Sequence, residues 1–341
     1  MGPATHNHAV GSPESPYRNK KILVSGGLGF IGSNLAIRLV RGGADVTIID
    51  RELEGSGAND FNISPIANDV RVFKHDIADK EKMLPLIENV DYIFNLSGYN
   101  NHLDSMVHPE KDLYANCTSQ LSFLAACAEV GVSAGLVFTA TRTQYGRVTE
   151  NPVTEQMPQH PLDIHGAHKA LAEQYHLFYH KNNSLKTVVA RVTNVYGPRQ
   201  PVRPRGIGLI SSFILPVLED GDIEIFGTGN RTREILYVDD LIDALLILNS
   251  KKETAGQCYN VGGFSVSLRE IAETMIAAAG AGRISYKPFP HEVQRIEVGE
   301  VTLDSTKIAM SCGWRATTVP DQGFRKTMEF FTKNKDKYTP A

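Results

Sequence analysis

The sequence has 341 residues, a formal net charge of −3 at pH 7 and 42% hydrophobic residues. A chain of this length can bury a sizeable core, and it fits one large α/β domain or a domain with a smaller lobe attached. The slightly acidic balance argues against nucleic acid or an anionic membrane as a partner, and no apolar run approaches the roughly 18–20 residues of a membrane span, so we expect a cytoplasmic protein.

The first eighteen residues have no apolar period and are rich in Gly, Pro, Ser and His. This composition predicts a disordered leader over residues 1–18. The cysteines are scattered without C-x-x-C spacing, which predicts reduced thiols rather than a disulfide framework or a zinc site. They are Cys117, Cys127, Cys258 and Cys312.

Residues 20–50 predict a strand, a glycine turn, a helix and a second strand that ends in Asp50. Glycines at 26, 29 and 32 would let a pyrophosphate approach the backbone at the helix N-terminus. A plain structural turn is the alternative, but the flanking strands and the acid favour a dinucleotide site. Asp50 is placed to bind a ribose and would repel a 2′-phosphate, which favours NAD over NADP, although Arg51 beside it could meet such a phosphate.

Further buried strands are predicted at residues 70–76, 91–98 and 135–140, separated by helical stretches. Connections of this length predict parallel strands joined by right-handed crossovers, and hence a Rossmann-type, doubly wound α/β sheet. Ligands bind at the carboxyl ends of such strands. One crevice should therefore collect the loops that begin at Gly26, Asp50, Asp76, Leu96 and Thr139, with Asp76 and Ile77 beside the adenine.

A helix over residues 109–130 is predicted to end at Gly131, and another runs from Asp163 to about Lys181 before a strand over 186–197. The Pro-, Arg- and Gly-rich residues 198–208 mark the start of a smaller lobe, which contains helices near 267–280 and 321–331. The predicted division is a Rossmann domain over 19–197, joined again by about 235–250, and a C-terminal α/β substrate-binding lobe over 198–234 and 251–341.

Candidate chemistry lies at two places on the carboxyl side of the predicted sheet. The strand end at residues 138–146 exposes Thr139, Thr141 and Thr143, and His165 and Lys169 are four residues apart on one helical face. A hydroxyl, a titratable group and a cation beside a nicotinamide make a proton relay for hydride transfer.

His176 and His180 also share a helical face and are a possible metal pair. No third ligand is spaced with them in the zinc-hydrolase manner. We therefore expect them on the helix surface and predict no metal site.

Together these motifs resemble the extended short-chain dehydrogenase/reductase family, specifically its NAD-dependent nucleotide-sugar epimerases and dehydratases. The resemblance covers about Lys20 to Phe331. It rests on GGLGFIG (26–32), the strand-end motif that closes with Tyr145 and Gly146, the helix with Lys169, RVTNVYGPR (191–199) and RTREILYVDDL (231–241). It implies NAD as cofactor, a nucleoside-diphosphate sugar as partner, and a homodimer formed through the helices near 105–130 and 163–181.

The resemblance also implies roles for single residues. Thr141 and Lys169 would be catalytic, with Lys169 also holding the nicotinamide ribose. Asn194 and Arg233 would lie along the substrate diphosphate, with Arg295 as a further candidate, and an arginine fork suits phosphate. The predicted cofactor-binding residues are Gly26, Gly29, Phe30, Ile31, Gly32, Asp50, Arg51, Asp76, Ile77, Leu96 and Lys169.

The sequence departs from the family pattern at two places. Position 165 holds His where the family has its catalytic Tyr. A neutral imidazole can accept and return a proton, and the charge of Lys169 would disfavour its protonation; the alternative is that His165 only orients the substrate. After Thr141, the family's 4,6-dehydratases carry an Asp-Glu pair and its decarboxylases a Glu at the second place, whereas this chain has Arg142 and Thr143. Arg142 either meets a substrate carboxylate or phosphate, or lies at the surface or beside the cofactor.

The sequence therefore predicts an NAD-dependent nucleoside-diphosphate-sugar epimerase that acts at C4 through a 4-keto intermediate. Thr141, His165 and Lys169 would carry the chemistry, without dehydratase acids. One alternative is a dehydrogenase or ketoreductase of the same family. The other is an NAD-binding module with little or no turnover, which the missing tyrosine supports.

Overall fold

Three sheets organise the protein, whose computed structural model describes residues 12–202, 208–288 and 299–338. The main sheet has seven strands in the order β10-β6-β5-β4-β1-β2-β3, all paired in parallel. This confirms the predicted doubly wound α/β fold. The strands are β1 (Lys21–Ser25), β2 (Asp45–Ile49), β3 (Val70–Phe73), β4 (Tyr92–Asn95), β5 (Gly135–Thr141), β6 (Lys186–Val192), β7 (Asn194–Tyr196), β8 (Asp222–Phe226), β9 (Thr232–Tyr237), β10 (Cys258–Val261), β11 (Phe264–Ser267) and β12 (Arg283–Lys287).

Helices cover both faces of the main sheet. Along β1, Val24 packs in one apolar cluster with Leu35 of the first helix, while its neighbour Leu23 packs in another with Phe123 and Leu124, as the alternation of a strand requires. Among the described residues, no helix combines the length and apolar character needed to cross a bilayer. The helices are α1 (Phe30–Arg41), α2 (Lys80–Ile87), α3 (His102–Val107), α4 (Pro109–Leu113), α5 (Ser119–Val130), α6 (Ile164–Asn183), α7 (Ser211–Leu218), α8 (Val238–Ser250), α9 (Leu268–Ala279), α10 (Thr306–Cys312) and α11 (Pro320–Asn334).

The helices that carry the site end where local sequence signals place them. Asp163 caps α6, because its side chain accepts a hydrogen bond from the backbone N–H of Gly166. Gly131 ends α5 in the left-handed conformation, with φ of 70°, which confirms the predicted C-cap. The predicted helix over 109–130 is nevertheless interrupted, since residues Tyr114–Thr118 form a π-helical turn between α4 and α5.

The predicted strand over residues 186–197 is two strands. It divides at Thr193, so that β6 stays in the main sheet while β7 joins a second sheet of order β11-β9-β7. Strands β8 and β12 pair in parallel as a third sheet. The predicted lobe is also not confined to these small sheets, because β10 extends the edge of the main sheet.

Part of the predicted leader is packed against the domain. Tyr17 is 1% exposed, and its hydroxyl donates a hydrogen bond to the carbonyl of Leu246 at 2.6 Å. Its ring also meets the ring of Tyr92 edge-on, with centroids 4.6 Å apart. The prediction of disorder is therefore wrong for residues 12–18, whereas residues 1–11 lie outside the described residues. Composition gave no signal here because the contacts that hold the segment, those of Tyr17 and the ion pair of Glu14 with Arg38, are made with residues distant in the chain.

Candidate active site

A cavity of about 310 Å³ opens at the carboxyl ends of the main-sheet strands, which is large enough for a small-molecule ligand. Its wall brings together residues from the glycine turn, from the ends of β2 to β6 and from α6. This arrangement confirms that the predicted loops converge on one crevice. The predicted residues that line it are Gly26, Gly29, Phe30, Ile31, Gly32, Asp50, Arg51, Asp76, Ile77, Leu96, Thr141, Arg142, His165, Lys169 and Asn194.

The glycine turn fits a dinucleotide. A Cβ at Gly32 would lie 2.2 Å from the carbonyl oxygen of Gly26, so the tight approach of α1 to the turn excludes any side chain there. Gly26 itself has φ of 73°, a conformation that L side chains rarely adopt. No side chain caps the N-terminus of α1, which leaves its N–H groups for an anion such as pyrophosphate.

The contacts of Arg51 show whether its guanidinium is available for the 2′-phosphate of NADP. Its guanidinium pairs with Asp76 at 2.7 Å and lies over the ring of Tyr114, 5.1 Å from the centroid. Asp50 accepts hydrogen bonds from the backbone N–H groups of Leu28 and Glu52, which fix its carboxylate at the cavity wall. With Arg51 already paired to a carboxylate, the charge that dominates this end is that of Asp50, which favours NAD.

Replacing Asp50 by Asn should therefore raise the affinity for NADP relative to NAD. Asparagine keeps the shape and the acceptor oxygen but removes the charge, so we expect the ratio of the two dissociation constants to shift by about tenfold to a hundredfold, the worth of a charge-assisted hydrogen bond. Calorimetric titration with both dinucleotides measures it. Glu52→Gln, with the same charge change two residues away, is the control, and equal ratios in both variants would contradict the assignment.

The end of β5 presents Thr141 to the cavity. The turn that follows is a capping box: the Thr141 hydroxyl accepts from the N–H of Thr143, and the Gln144 side chain accepts from the N–H of Thr141. The hydroxyls of Thr141 and Thr143 are 3.1 Å apart. The turn therefore fixes a hydroxyl at the strand end without a carboxylate beside it.

His165 lies in the first turn of α6 and lines the cavity, although its side chain is only 4% exposed. Its Nδ1 lies 3.5 Å from Oδ2 of Asp112 and 3.5 Å from Nδ2 of Asn116. The ring of His102 meets it edge-on, with centroids 4.9 Å apart. The imidazole expected from the sequence in place of the family tyrosine thus lines the crevice.

The surroundings of the site lower the pKa of both His165 and Lys169. Burial lowers the pKa of His165 to about 4, Asp112 opposes that shift, and His102 and Lys169 add to it. The predicted effect of Lys169 has the correct direction, but burial is the larger cause. Burial also lowers the pKa of the Lys169 ammonium to about 8. That ammonium lies over the ring of Phe138, 4.2 Å from its centroid.

The predicted substrate residues separate into three groups. Arg142 and Asn194 share the cavity wall, and an Arg142 Nη2 donates to Asn194 Oδ1 at 3.4 Å. Arg142 is 6% exposed, so it lies inside the cavity rather than on the surface. Among the described residues, Arg233 does not line this cavity, and its Nη1 donates to the carbonyl of Thr232. Arg295 lies outside the described residues.

Sequence reasoning missed three polar residues around His165. Asn116 lines the cavity and clamps Tyr99, accepting from its N–H and donating to its carbonyl. Asp112 is wholly buried behind His165, and His102 lines the cavity with its Nδ1 2.7 Å from Asp163. The spacing of four between Asp112 and Asn116 is a signal that could have shown a shared polar face, but the π-helical turn that aims Asn116 inward has no sequence signature.

The histidine pair on α6 does not lie on the surface as predicted. His176 is 0% exposed and stacks on Phe138 with centroids 4.2 Å apart, and neither of its ring nitrogens has a hydrogen-bond partner. Nδ1 of His180 lies 2.8 Å from the carbonyl oxygen of Leu185. Within the described ranges, no group of three or more His, Cys, Asp or Glu side chains is placed to hold a metal ion.

His176→Phe should stabilise the protein by about 1–3 kcal/mol at pH 7, because it removes buried nitrogens that have no partner. Burial lowers the pKa of His176 to about 3, so from pH 6.5 downward the unfolded state binds a proton that the folded state refuses. As the pH is lowered from 6.5, the free energy of unfolding should therefore decrease less in the variant than in the wild type. Urea unfolding at pH 7 and pH 5 measures both effects, with exposed His160→Phe as the control; a loss of stability at pH 7 would contradict this account.

Comparison with known proteins places the chain among nucleotide-sugar enzymes. The sequence model of the NAD dependent epimerase/dehydratase family matches residues 22–262. The chain is similar to a putative UDP-glucose 4-epimerase of Methanocaldococcus jannaschii, with 31% identity over 92% of this chain and 99% of the relative. It is also similar to a dTDP-D-glucose 4,6-dehydratase of Mus musculus, with 28% identity over 98% and 94%. The crystal structure of a UDP-glucose 4-epimerase of Thermotoga maritima with UDP-glucose matches with a TM-score of 0.82 and 27% identity over 92% and 99% of the two chains.

Proposed function

This chain belongs to the NAD dependent epimerase/dehydratase family, and from that premise we propose that it is an NAD-dependent epimerase that inverts C4 of a nucleoside-diphosphate sugar. The observation that carries the proposal is that the glycine turn, Asp50, Thr141, His165 and Lys169 all line one cavity. A dinucleotide and a hydroxyl-bearing substrate would therefore meet beside a group that can move a proton.

When bound, NAD supplies reversible hydride chemistry at its nicotinamide. The Thr141 hydroxyl binds the C4 oxygen, and His165 takes the C4 hydroxyl proton as the 4-keto sugar forms, then returns it when the opposite face of the carbonyl is reduced. Lys169 lines the same cavity and would hold the nicotinamide ribose, and its ammonium adds to the effect of burial in disfavouring a positive charge on His165. Asn194 and Arg142 bind the substrate on the lobe side of the cavity.

The similar proteins include both epimerases and dehydratases. The residues of the turn after Thr141 favour epimerisation over dehydration. Elimination of water across C5 and C6 needs an acid and a base beside the sugar. The positions that would supply them hold Arg142 and Thr143, and the buried Arg142 guanidinium is directed toward Asn194 and the carbonyl of Val301. Without an acid and a base at these two positions, the 4-keto sugar would return to an alcohol rather than lose water.

The substrate would lie between the main sheet and the predicted C-terminal lobe. Gln200, Pro201 and the residues 208–211 line the same cavity as Thr141 and His165. Residues 198–234 and 251–341 would then bind the nucleotide and its diphosphate. The four cysteines are free, and Cys117 and Cys127 are buried, which suits the predicted cytoplasmic location.

The test is to incubate the purified protein and NAD with UDP- and dTDP-linked hexoses carrying deuterium at C4. An epimerase gives both C4 epimers, each retaining the label, as followed by NMR. Net accumulation of NADH with a keto product would instead identify a dehydrogenase. Bound NAD with neither outcome across the panel would leave only a binding module and overturn the proposal.

We also propose a homodimer formed through α3 to α6. Eight of the eleven exposed large apolar side chains among the described residues lie on this stretch, and the helices pack on one another. Apolar side chains concentrated in this way mark an interface. The eight are Leu103, Met106, Val107, Leu113, Tyr114, Leu121, Leu171 and Phe178.

Light scattering at micromolar concentration should give twice the mass of the chain. The pair Leu171→Asp and Phe178→Asp, 40% and 58% exposed in the wild type, should give a monomer because two charges cannot be buried unpaired in an apolar interface. Met310→Asp, 83% exposed on α10, is the control and should stay dimeric. A wild-type monomer would overturn the proposed assembly.

A further inference from the structure

Asp112 is a buried carboxylate that the mechanism above does not use. It lies in α4 and is 0% exposed. Nδ1 of His168 lies 2.7 Å from its Oδ1. Its Oδ2 has no hydrogen-bond partner, and the closest ring nitrogen to it is Nδ1 of His165, at 3.5 Å.

The chemistry of the two groups sets the tautomer of His165. A neutral imidazole carries a hydrogen on one nitrogen and a lone pair on the other. If the lone pair were on Nδ1, it would face the Asp112 carboxylate. Two hydrogen-bond acceptors would then be in contact at a buried position, without a hydrogen between them. A hydrogen on Nδ1 satisfies the buried oxygen, and the lone pair is then on Nε2.

Asn116 is the competing neighbour, because its Nδ2 is also 3.5 Å from Nδ1 of His165. That amide already donates to the carbonyl of Tyr99 at 2.9 Å, which uses one of its two hydrogens. Its second hydrogen can be directed to the ring nitrogen, and, against the effect of burial, Asn116 is also among the hydrogen-bonding groups that lower the pKa of Asp112. An ionised carboxylate is the stronger acceptor of the two.

We propose that Asp112 is a positioning residue for catalysis: it holds the hydrogen of His165 on Nδ1, so that Nε2 is the atom that accepts the substrate proton. The inference rests on the proposed function, since it assigns a task to the proton acceptor of that reaction. His168 anchors the carboxylate from the other side. When His165 takes the proton, its charge forms beside Asp112 and is stabilised there.

The groups around the pair support an ionised Asp112 and a neutral His165. Burial works against ionisation of Asp112, but the hydrogen bonds and charges of His165 and His168 hold its pKa below the ordinary range. His165 faces two further groups that oppose its protonation, the ring of His102 and the Lys169 ammonium. Asp112 thus offsets a charge on His165, and the Asp163 carboxylate, which is paired with His102, also interacts with that charge.

Asp112→Asn tests the inference, because it keeps the volume and removes the charge. With the amide in place, a donor can face Nδ1 and move the His165 hydrogen to Nε2. ¹⁵N NMR of the histidine rings reports the tautomer, with His165→Phe identifying the signal. We expect Nδ1–H in the wild type, Nε2–H in the variant, and a fall in kcat of about 10²–10⁴-fold with little change in KM.

Glu110→Gln is the matched control, since it removes the same charge from an exposed position on the same helix. It should leave both the tautomer and kcat unchanged. Should Asp112→Asn fail to fold, the wild-type spectrum alone decides, because Nε2–H on His165 would overturn the inference. Wild-type turnover with kcat and tautomer unaltered in Asp112→Asn would also overturn it and leave the epimerase proposal standing. If the wild type has no turnover but the tautomer of His165 still changes in Asp112→Asn, the epimerase proposal is overturned instead.

Discussion

His165→Phe is expected to lower kcat for epimerisation by about 10²–10⁴-fold, the usual contribution of a positioned acid–base group. Phenylalanine fills the largely buried space of the imidazole but can neither accept nor return a proton. Because the variant leaves the glycine turn and Asp50 unchanged, which are the residues expected to hold the pyrophosphate and the adenosine ribose, NAD affinity should change little. Steady-state kinetics with the best nucleotide sugar, together with calorimetric titration of NAD, measure the two quantities separately.

The pH profile identifies the group that the variant removes. His165 accepts a proton only when neutral, so the wild-type rate should hold down to a pH near 4 and fall below it. Lys169 should lose its charge above a pH near 8, which gives the alkaline limb. The residual rate of the variant should lack the acid limb. If kcat stays at the wild-type value in His165→Phe, the histidine has no part in proton transfer.

The parts of the site that could be predicted from sequence are those fixed by short stretches of chain. The glycine turn, Asp50 at the tip of β2 and Thr141 at the end of β5 each follow from one apolar run and the residue that ends it. His165 and Lys169 share a helical face by spacing alone, and both line the cavity. Convergence of these loops then follows from parallel topology.

The parts that could not be predicted depend on contacts between distant segments. Asp112 lies 53 positions before His165 in the chain, and the two meet only because α4 packs against α6. The division at Thr193 has a similar origin, since the apolar pattern continues from β6 into β7 while the chain passes to another sheet. Burial of His176 was missed for the same reason: helical spacing cannot tell which face will meet Phe138.

A second buried network between distant segments supports the turn that carries Thr141. Glu173 of α6 is 0% exposed, and both its oxygens accept hydrogen bonds from Arg191 of β6. Gln144 also donates to Glu173, while its own oxygen accepts from the N–H of Thr141. The buried carboxylate is therefore joined to the backbone of Thr141 through one side chain.

Glu173→Ala should lower the free energy of unfolding by about 3–5 kcal/mol, because it leaves the Arg191 guanidinium buried without its counter-charge. In the wild type burial works against the charged form of Arg191, but the hydrogen bonds and charge of Glu173 raise the pKa of that guanidinium. Without Glu173 that support is lost, but a guanidinium stays protonated in proteins because its ordinary pKa is above about 12, so the variant cannot escape the penalty by deprotonation. Urea unfolding measures the loss. Glu129→Ala, which removes one member of an exposed pair with Lys80, should cost no more than about 1 kcal/mol.

The double replacement Glu173→Leu and Arg191→Leu separates the cost of an orphaned charge from the worth of the pair. Apolar side chains of similar volume remove both charges, so most of the stability lost in Glu173→Ala should return. The rate of epimerisation should not return with it, since Gln144 still lacks its acceptor and the Thr141 hydroxyl is no longer held at one position. A double variant as unstable as Glu173→Ala would show that the loss comes from packing, and full activity in it would show that the turn needs no support from α6.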